Sequence, residues 1–201
     1  PYVVVGAVGG SGTRLIASIL YALGLNIGTY LNEAYDNNVF VFLFRRLQTL
    51  KLSDEMFDFY MNIMYKTYGL NKSLTLTKEE DDKIETLSHT LGQQFTKKKL
   101  KEHADTIRRM IKIGPEEGLS SYTKKHFEED LEKMPVKERS LISKWGWKAP
   151  NSHVIMARLH ALYPKMKYIF VIRNGLDMAY SDNKNQLELW GHKLFKKSDI
   201  E

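Results

Sequence analysis

The chain has 201 residues, of which 43% are hydrophobic and 27% charged, a composition that supplies one substantial core and excludes a disordered or fibrous protein. It contains no cysteine, which excludes disulfide scaffolds and cysteine-ligated metals and favours a reducing, cytoplasmic location. No apolar run approaches the roughly 20 residues of a membrane-spanning helix. The net charge of +6 suits an anionic ligand as well as it suits a nucleic acid.

The first predicted unit is a strand, a glycine loop and a helix. The β-branched run Tyr2–Val5 predicts a buried strand, and the loop that follows it reads Gly-Ala-Val-Gly-Gly-Ser-Gly-Thr over residues 6–13. Apolar residues at helical spacing from Leu15 to Leu23 predict a helix that ends at Gly24. Such a loop can direct several backbone N–H groups at a phosphate placed on the positive end of the helix.

The middle of the chain is predicted to be helical. Leu25–Leu31 is expected to form a second strand, and residues 52–135 a large helical insertion within a single domain covering residues 1–201. Three apolar stripes at helical spacing indicate its helices: Met56, Tyr60, Ile63 and Met64; Ile84, Leu87, Leu91 and Phe95; and Leu100, Ala104, Ile107 and Ile111.

Strand patterns return near the end of the sequence. Leu141–Lys148 and the apolar run Tyr168–Ile172 predict two strands, the second of the kind buried in parallel sheets. A helix around Val154–Leu162 separates them, and another begins with Asn174 as its N-cap. Strands alternating with helices favour a three-layer α/β fold with a central parallel sheet.

Two motifs have residues suited to binding phosphate. The glycine loop differs from the ATPase pattern because Thr13 is followed by Arg14 and the loop holds no lysine. The run from Val171 to Ser181 places Arg173 at the end of a strand and Ser181 eight residues later. An arginine offers a planar fork of donors to phosphate oxygens, and a nearby hydroxyl can complete the cradle.

Together these motifs resemble the sulfotransferases that use 3′-phosphoadenosine 5′-phosphosulfate (PAPS). The resemblance implies a P-loop-like nucleotide-binding core in which Arg173 and Ser181 hold the 3′-phosphate of PAPS. It also implies that the loop holds the 5′-phosphosulfate, through Gly9, Gly10, Ser11, Gly12, Thr13 and Arg14. Lys148-Ala149-Pro150 with His153 looks like a third motif of the family, Lys-Thr-Pro with a nearby histidine.

The function implied is transfer of a sulfuryl group from PAPS to a hydroxyl or amine of a small-molecule or glycan acceptor, leaving adenosine 3′,5′-bisphosphate. No metal and no nucleic acid are expected, since the histidines show no ligand spacing and the basic residues form no stripe with aromatics. The acceptor itself and the oligomeric state cannot be read from the sequence. The family's later basic loop is absent after Trp190, so a C-terminal part of the domain is expected to lie beyond residue 201.

The sequence departs from the family at Gly10, where most members carry a lysine or arginine. Arg14 or Lys148 is expected to supply the missing charge on the leaving phosphate. The candidates for the base that takes the acceptor's proton are Glu33, Asp36 and His153, with Glu33 ranked first. The alternatives to a sulfotransferase are a protein of the same fold that binds the nucleotide without turnover and a P-loop-type small-molecule kinase.

Overall fold

A computed structural model describes residues 2–28, 30–68, 75–90, 96–113 and 145–180. The chain divides into two compact units: the sheet unit, Pro1–Ile27 with Glu138–Glu201, and the helical unit, Gly28–Lys137. The described strands and α-helices in chain order are β1 (Tyr2–Ala7), α1 (Thr13–Ala22), α2 (Asn38–Phe44), α3 (Asp54–Thr67), α4 (Lys78–Thr90), α5 (Lys97–Ile113), β2 (Trp145–Lys148), α6 (Met156–Leu162), β3 (Lys167–Val171) and α7 (Gly175–Ala179). Two 3₁₀ helices, Leu47–Lys51 and Pro150–Ile155, complete them.

The described part of the sheet unit contains three parallel strands in the order β2-β1-β3. Val5 of β1 pairs with Lys148 of β2, and Ala7 of β1 pairs with Val171 of β3. The carboxyl ends of all three strands therefore meet at one edge of the sheet. Within the described residues the fold is mixed α/β with a parallel sheet, as predicted, whereas the three-layer arrangement and the insertion within one domain stay predictions.

Aromatic stacking holds the amino-terminal half of the sheet together. The Tyr2 ring stacks on the rings of Trp145 and Trp147, at centroid distances of 4.8 and 5.7 Å. Trp147 is fully buried, and its indole N–H donates to the Ser152 hydroxyl at 3.0 Å, so its polar atom is satisfied. These two tryptophans lie in the core.

Helix α1 follows the glycine loop and ends as the sequence predicts. Gly24 adopts a φ of +83°, its N–H donates to the Tyr21 carbonyl, and the Leu25 N–H donates to the Leu20 carbonyl at 3.0 Å. This pair of bonds is a Schellman cap, which needs a left-handed residue that glycine supplies without strain. The predicted helix stop at Gly24 is confirmed.

Two strand predictions need correction. Leu25–Leu31 forms no strand over its described residues, because Gly28 turns the chain with a φ of +94° and only isolated bridges form at Asn26 and Leu31. The second concerns β3, which is present but is not buried. With β1 in the centre of the described sheet, β3 is an edge strand, and Phe170 is 47% exposed.

The helix predicted around Val154 begins in a different geometry. Pro150–Ile155 is a 3₁₀ helix, and regular α-helix starts only at Met156. Proline favours the first position of a helix because its φ is already helical and no N–H is lost there. The predicted end before Pro164 is confirmed, with α6 closing at Leu162.

The helical unit buries the three predicted apolar stripes wherever they are described. Met56 is half-buried, and the buried members are Tyr60, Ile63, Met64, Ile84, Leu87, Leu100, Ala104, Ile107 and Ile111. Leu91 and Phe95 lie outside the described residues. Helix α2 adds a fully buried run, Val39–Phe44, which begins where the Asn37 side chain accepts the Phe40 N–H at 2.9 Å.

A buried ion pair links α3 to the start of α4. The Lys66 ammonium contacts the Glu80 carboxylate at 2.6 Å, and both side chains are buried. Glu80 also accepts the Thr77 N–H while Thr77 accepts the Glu80 N–H, which is a capping box at the start of α4. Burial is the largest single effect on the Glu80 pKa and raises it, but the hydrogen bonds from Lys66 and Thr77 and the charge of Lys66 together outweigh burial and hold the pKa of Glu80 below its usual value.

Candidate functional site

The glycine loop after β1 has the backbone shape of an anion cradle. Gly10 and Gly12 adopt left-handed conformations, with φ of +85° and +89°. The Ser11 side chain between them is buried, and its hydroxyl donates to the Val8 carbonyl, which closes the loop on itself. Left-handed residues in such a turn direct neighbouring N–H groups toward one side, where an anion can bind.

The first turn of α1 adds positive potential to this loop. Gly12 is its N-cap and offers no side chain to the free N–H groups, and no acidic residue lies in the first turn. Arg14 is exposed on that turn, while Thr13 is buried. A cation beside the positive end of a helix is unfavourable unless an anion is present, so this end of α1 suits a phosphate group.

Arg173 contacts the glycine loop although the two lie far apart in sequence. Its NH1 group donates to the Gly10 carbonyl at 3.1 Å, across 163 positions of the chain. The Asp177 carboxylate is 3.7 Å from its Nε, and the Arg173 side chain remains 42% exposed. Arg173 can therefore present its other donors to a ligand at the loop.

The start of α7 fixes the direction of the chain after Arg173. The Asn174 side chain accepts the Leu176 N–H at 2.9 Å, so the predicted N-cap is confirmed. Met178 then contacts the Ser11 hydroxyl through its sulfur at 3.7 Å. Sequence reasoning missed Met178, although its position five residues after Arg173 placed it on the helix that faces the loop. Ser181, the predicted partner of Arg173, lies outside the described residues.

Lys148 ends β2 at the same edge of the sheet as the glycine loop. Its side chain is buried, with 2% of the residue exposed, and it makes contacts within the protein. Side chains alternate along a strand, so Lys148 faces away from the side on which Trp147 reaches Ser152. A buried cation at this edge adds to the positive potential at the loop.

His153 lies on the 3₁₀ helix after β2 with one ring nitrogen already occupied. Its Nδ1 is 2.7 Å from the Pro150 carbonyl, which can only accept, so Nδ1 carries the proton of the neutral ring. The Nε2 lone pair is then available as a base. The half-buried ring packs near Phe170 of β3, at a centroid distance of 6.3 Å.

Glu33 and Asp36 belong to the helical unit, so their relation to the glycine loop stays a prediction. Both lie in a tight turn in which the Asn32 carboxamide accepts the Ala34 and Asp36 N–H groups, each at 2.9 Å. The Asp36 carboxylate accepts from Asn32 at 3.2 Å, and Glu33 is exposed. Of the three candidate bases, His153 is the one in the same unit as the loop and Arg173.

The described residues contain no group of three or more side chains that could hold a metal ion. Nor is any described helix both long and apolar enough to cross a membrane. Comparisons with protein-family models, curated proteins and solved structures gave no match.

Proposed function

We propose that this chain binds PAPS at the glycine loop and transfers its sulfuryl group to a hydroxyl or amine of an acceptor. The observation that carries the proposal is the contact between Arg173 and the Gly10 carbonyl. It brings an arginine with exposed donors to a loop that presents backbone N–H groups, and a nucleotide with phosphates on both its 3′ and 5′ positions needs two such anion sites close together. The resemblance of both motifs to PAPS-dependent enzymes selects the ligand.

The residues of the site fit a doubly phosphorylated nucleotide. Three features favour binding of the 5′-phosphosulfate at the loop. They are the left-handed glycines, the N-terminus of α1 without a side-chain cap, and the cations Arg14 and Lys148. Arg173 is proposed to hold the 3′-phosphate together with Ser181. The proposed reaction uses no metal, in line with the absence of ligand spacing among the histidines of the sequence.

In the proposed reaction PAPS supplies the sulfuryl group, while side chains stabilise the charge on the leaving phosphate and accept the proton of the acceptor. The acceptor's oxygen or nitrogen bonds to sulfur as the bond from sulfur to the phosphate oxygen breaks, which leaves adenosine 3′,5′-bisphosphate. Arg14 and Lys148 stabilise the charge that grows on the phosphate. Nε2 of His153 is suited to take the acceptor's proton, with Glu33 and Asp36 as the other candidates.

A second candidate function is nucleotide binding without turnover. Gly10 supports it, because this position carries a cation in most of the enzymes that the chain resembles. A glycine with φ of +85° is also the residue type that this backbone position favours. A kinase is a weaker candidate, because the loop lacks the Gly-Lys-Ser/Thr sequence.

Binding of adenosine 3′,5′-bisphosphate and of AMP tests the proposed ligand. We expect the bisphosphate to bind more tightly, and Arg173→Ala to lower its affinity about tenfold to a hundredfold, because a hydrogen bond between charged groups contributes roughly 1.5–3 kcal/mol. AMP affinity should not change. The matched control is Arg158→Ala on α6, and calorimetry measures each constant. Equal affinity of the unmodified protein for the two nucleotides would contradict the proposal.

A further inference from the structure

The hydroxyl of Tyr168 on β3 is buried and has no hydrogen-bond partner among the residues that the structure describes. Burial raises the pKa of Tyr168 above its ordinary value, so the group stays protonated through the neutral range. A buried hydroxyl without a partner costs free energy that a phenylalanine in the same place would not. Such a group in a native protein calls for a physical explanation.

The hydroxyl occupies the space that a side chain on Gly6 would fill. A Cβ placed on Gly6 would lie 2.0 Å from the Tyr168 oxygen and 3.3 Å from the main-chain nitrogen of His153. The Tyr168 oxygen therefore lies against Gly6 of β1, at a point where the backbone of the 3₁₀ helix at His153 also approaches Gly6. A side chain on Gly6 would collide with this oxygen unless the Tyr168 ring moved away.

The Phe170 ring on β3 contacts the rings of both Tyr168 and His153. It stacks with Tyr168 at a centroid distance of 6.3 Å and 24° between planes. It also contacts His153 at 6.3 Å, tilted by 55°. Tyr168 and Phe170 are two residues apart on β3, so both project from the same side of the strand. Phe170 therefore links the Tyr168 ring to the His153 ring.

We infer that Tyr168 is a positioning residue, whose hydroxyl acts as a spacer that sets the distance between β1 and His153. The inference rests on the proposed function, in which Nε2 of His153 faces the acceptor. Without the oxygen, the backbone at His153 can shift into the freed space over Gly6, and a shift of His153 relative to Pro150 changes the Nδ1 bond to the Pro150 carbonyl. A displacement of about 1 Å at a reacting group can lower a rate by as much as a hundredfold.

Tyr168→Phe tests the spacer because it removes only the oxygen. We expect an unfolding midpoint equal to or above that of the parent protein, since the lost group was buried and unpaired. We expect kcat for sulfuryl transfer to fall about tenfold to a hundredfold with an unchanged KM for PAPS. Tyr180→Phe, the same change at an 88% exposed tyrosine, is the matched control and should leave both values unchanged.

Nitrogen NMR of ¹⁵N-histidine-labelled protein gives a readout that needs no turnover. His153→Gln assigns the signal, and spectra recorded at a pH where histidine rings are neutral should show the proton of the parent protein's His153 on Nδ1. Tyr168→Phe should produce a mixture of the two tautomers, whereas Tyr180→Phe should not. An unchanged tautomer or an unchanged kcat in Tyr168→Phe overturns the inference.

The experiments distinguish failure of the proposed function from failure of the inference about Tyr168. If adenosine 3′,5′-bisphosphate does not bind to the parent protein, the proposed function fails, and the tautomer of His153 still decides whether Tyr168 positions it. Gly6→Ala tests the contact itself. It should lower the unfolding midpoint, and adding Tyr168→Phe should restore part of the loss because the colliding oxygen is gone. Additive effects of the two changes would overturn the spacer.

Discussion

At the scale of single residues, the site combines fixed donors with cations of different exposure. Arg14 is exposed on the first turn of α1, Arg173 is partly exposed and hydrogen bonded to the loop, and Lys148 is buried at the end of β2. A buried cation acts in a lower dielectric than an exposed one, so its effect on a nearby phosphate is larger for the same distance. The three charges are therefore not interchangeable.

Removal of the charge on Arg14 or Lys148 should lower turnover more than binding. We expect Arg14→Gln and Lys148→Met each to lower kcat for sulfuryl transfer. Loss of a donor that stabilises the transition state typically lowers kcat about a hundredfold to a thousandfold. The affinity for adenosine 3′,5′-bisphosphate should fall less. Steady-state kinetics and calorimetry on the same preparations compare the two effects.

The control for this experiment removes a cation elsewhere in the sheet unit. Lys165 is exposed and lies just before the amino-terminal end of β3, away from the edge that carries the loop. Lys165→Gln should leave kcat unchanged. If both Arg14→Gln and Lys148→Met also keep full turnover, neither residue replaces the cation missing at Gly10, and the leaving charge must be stabilised by other groups.

At the scale of elements, α1 has a left-handed glycine at each end. Gly12 precedes its first turn and Gly24 follows its last, with φ of +89° and +83°, and a Cβ on either would meet no atom within 4 Å. A substitution at either position therefore adds backbone strain without a steric collision. Both glycines stabilise the ends of α1, but only Gly12 also belongs to the glycine loop. Comparing substitutions at the two positions therefore distinguishes an effect on the helix from an effect on the loop.

Gly12→Ala and Gly24→Ala should have similar effects on stability and different effects on binding. Each should lower the free energy of unfolding by roughly 1–2 kcal/mol, the strain of a left-handed L-residue. Only Gly12→Ala should weaken the binding of adenosine 3′,5′-bisphosphate, because only this glycine shapes the loop. Denaturant unfolding and calorimetry measure the two quantities. Equal loss of affinity in both variants would show that the loop conformation is not what binds the nucleotide.

The elements that the sequence predicts well are those whose local pattern agrees with their burial. The stripes of α3, α4 and α5 face the core of the helical unit, and the stops and caps at Gly24 and Asn174 use side-chain or backbone chemistry that is local to the chain. Helix α2 was not predicted. Its sequence, Asn-Val-Phe-Val-Phe-Leu-Phe, is typical of a strand. In the structure the segment is a helix, which is stabilised by burial on all sides and by the Asn37 cap.

The arrangement of the candidate site was predictable only in part. The parallel order of β1, β2 and β3 brings Lys148 and Arg173 to the loop's edge of the sheet, as strand–helix alternation suggests. The contact of Arg173 with the Gly10 carbonyl and that of Met178 with Ser11 depend on long-range packing, which no local pattern encodes. For the same reason the space over Gly6 that Tyr168 fills could not be read from the sequence.

At the scale of the whole molecule, most of the residues proposed to bind the nucleotide belong to one of the two compact units. The glycine loop, Lys148, His153 and Arg173 all belong to the sheet unit, whereas Glu33 and Asp36 belong to the helical unit. Each unit has internal packing of its own, aromatic stacking around Tyr2 in the first and the buried Lys66–Glu80 pair in the second. A ligand that binds the sheet unit stabilises the structure that surrounds it.

Hydrogen exchange can locate the nucleotide without a known acceptor. Saturating adenosine 3′,5′-bisphosphate should slow amide exchange in the loop at residues 8–14 and in the segment 172–177, because the local opening of both is opposed by the bound phosphates. Exchange in α4 and α5 should change little. AMP should protect the loop but not residues 172–177, since it lacks the 3′-phosphate that Arg173 is proposed to hold. Protection confined to α3, α4 and α5 would instead place the nucleotide in the helical unit and contradict the assignment of the loop.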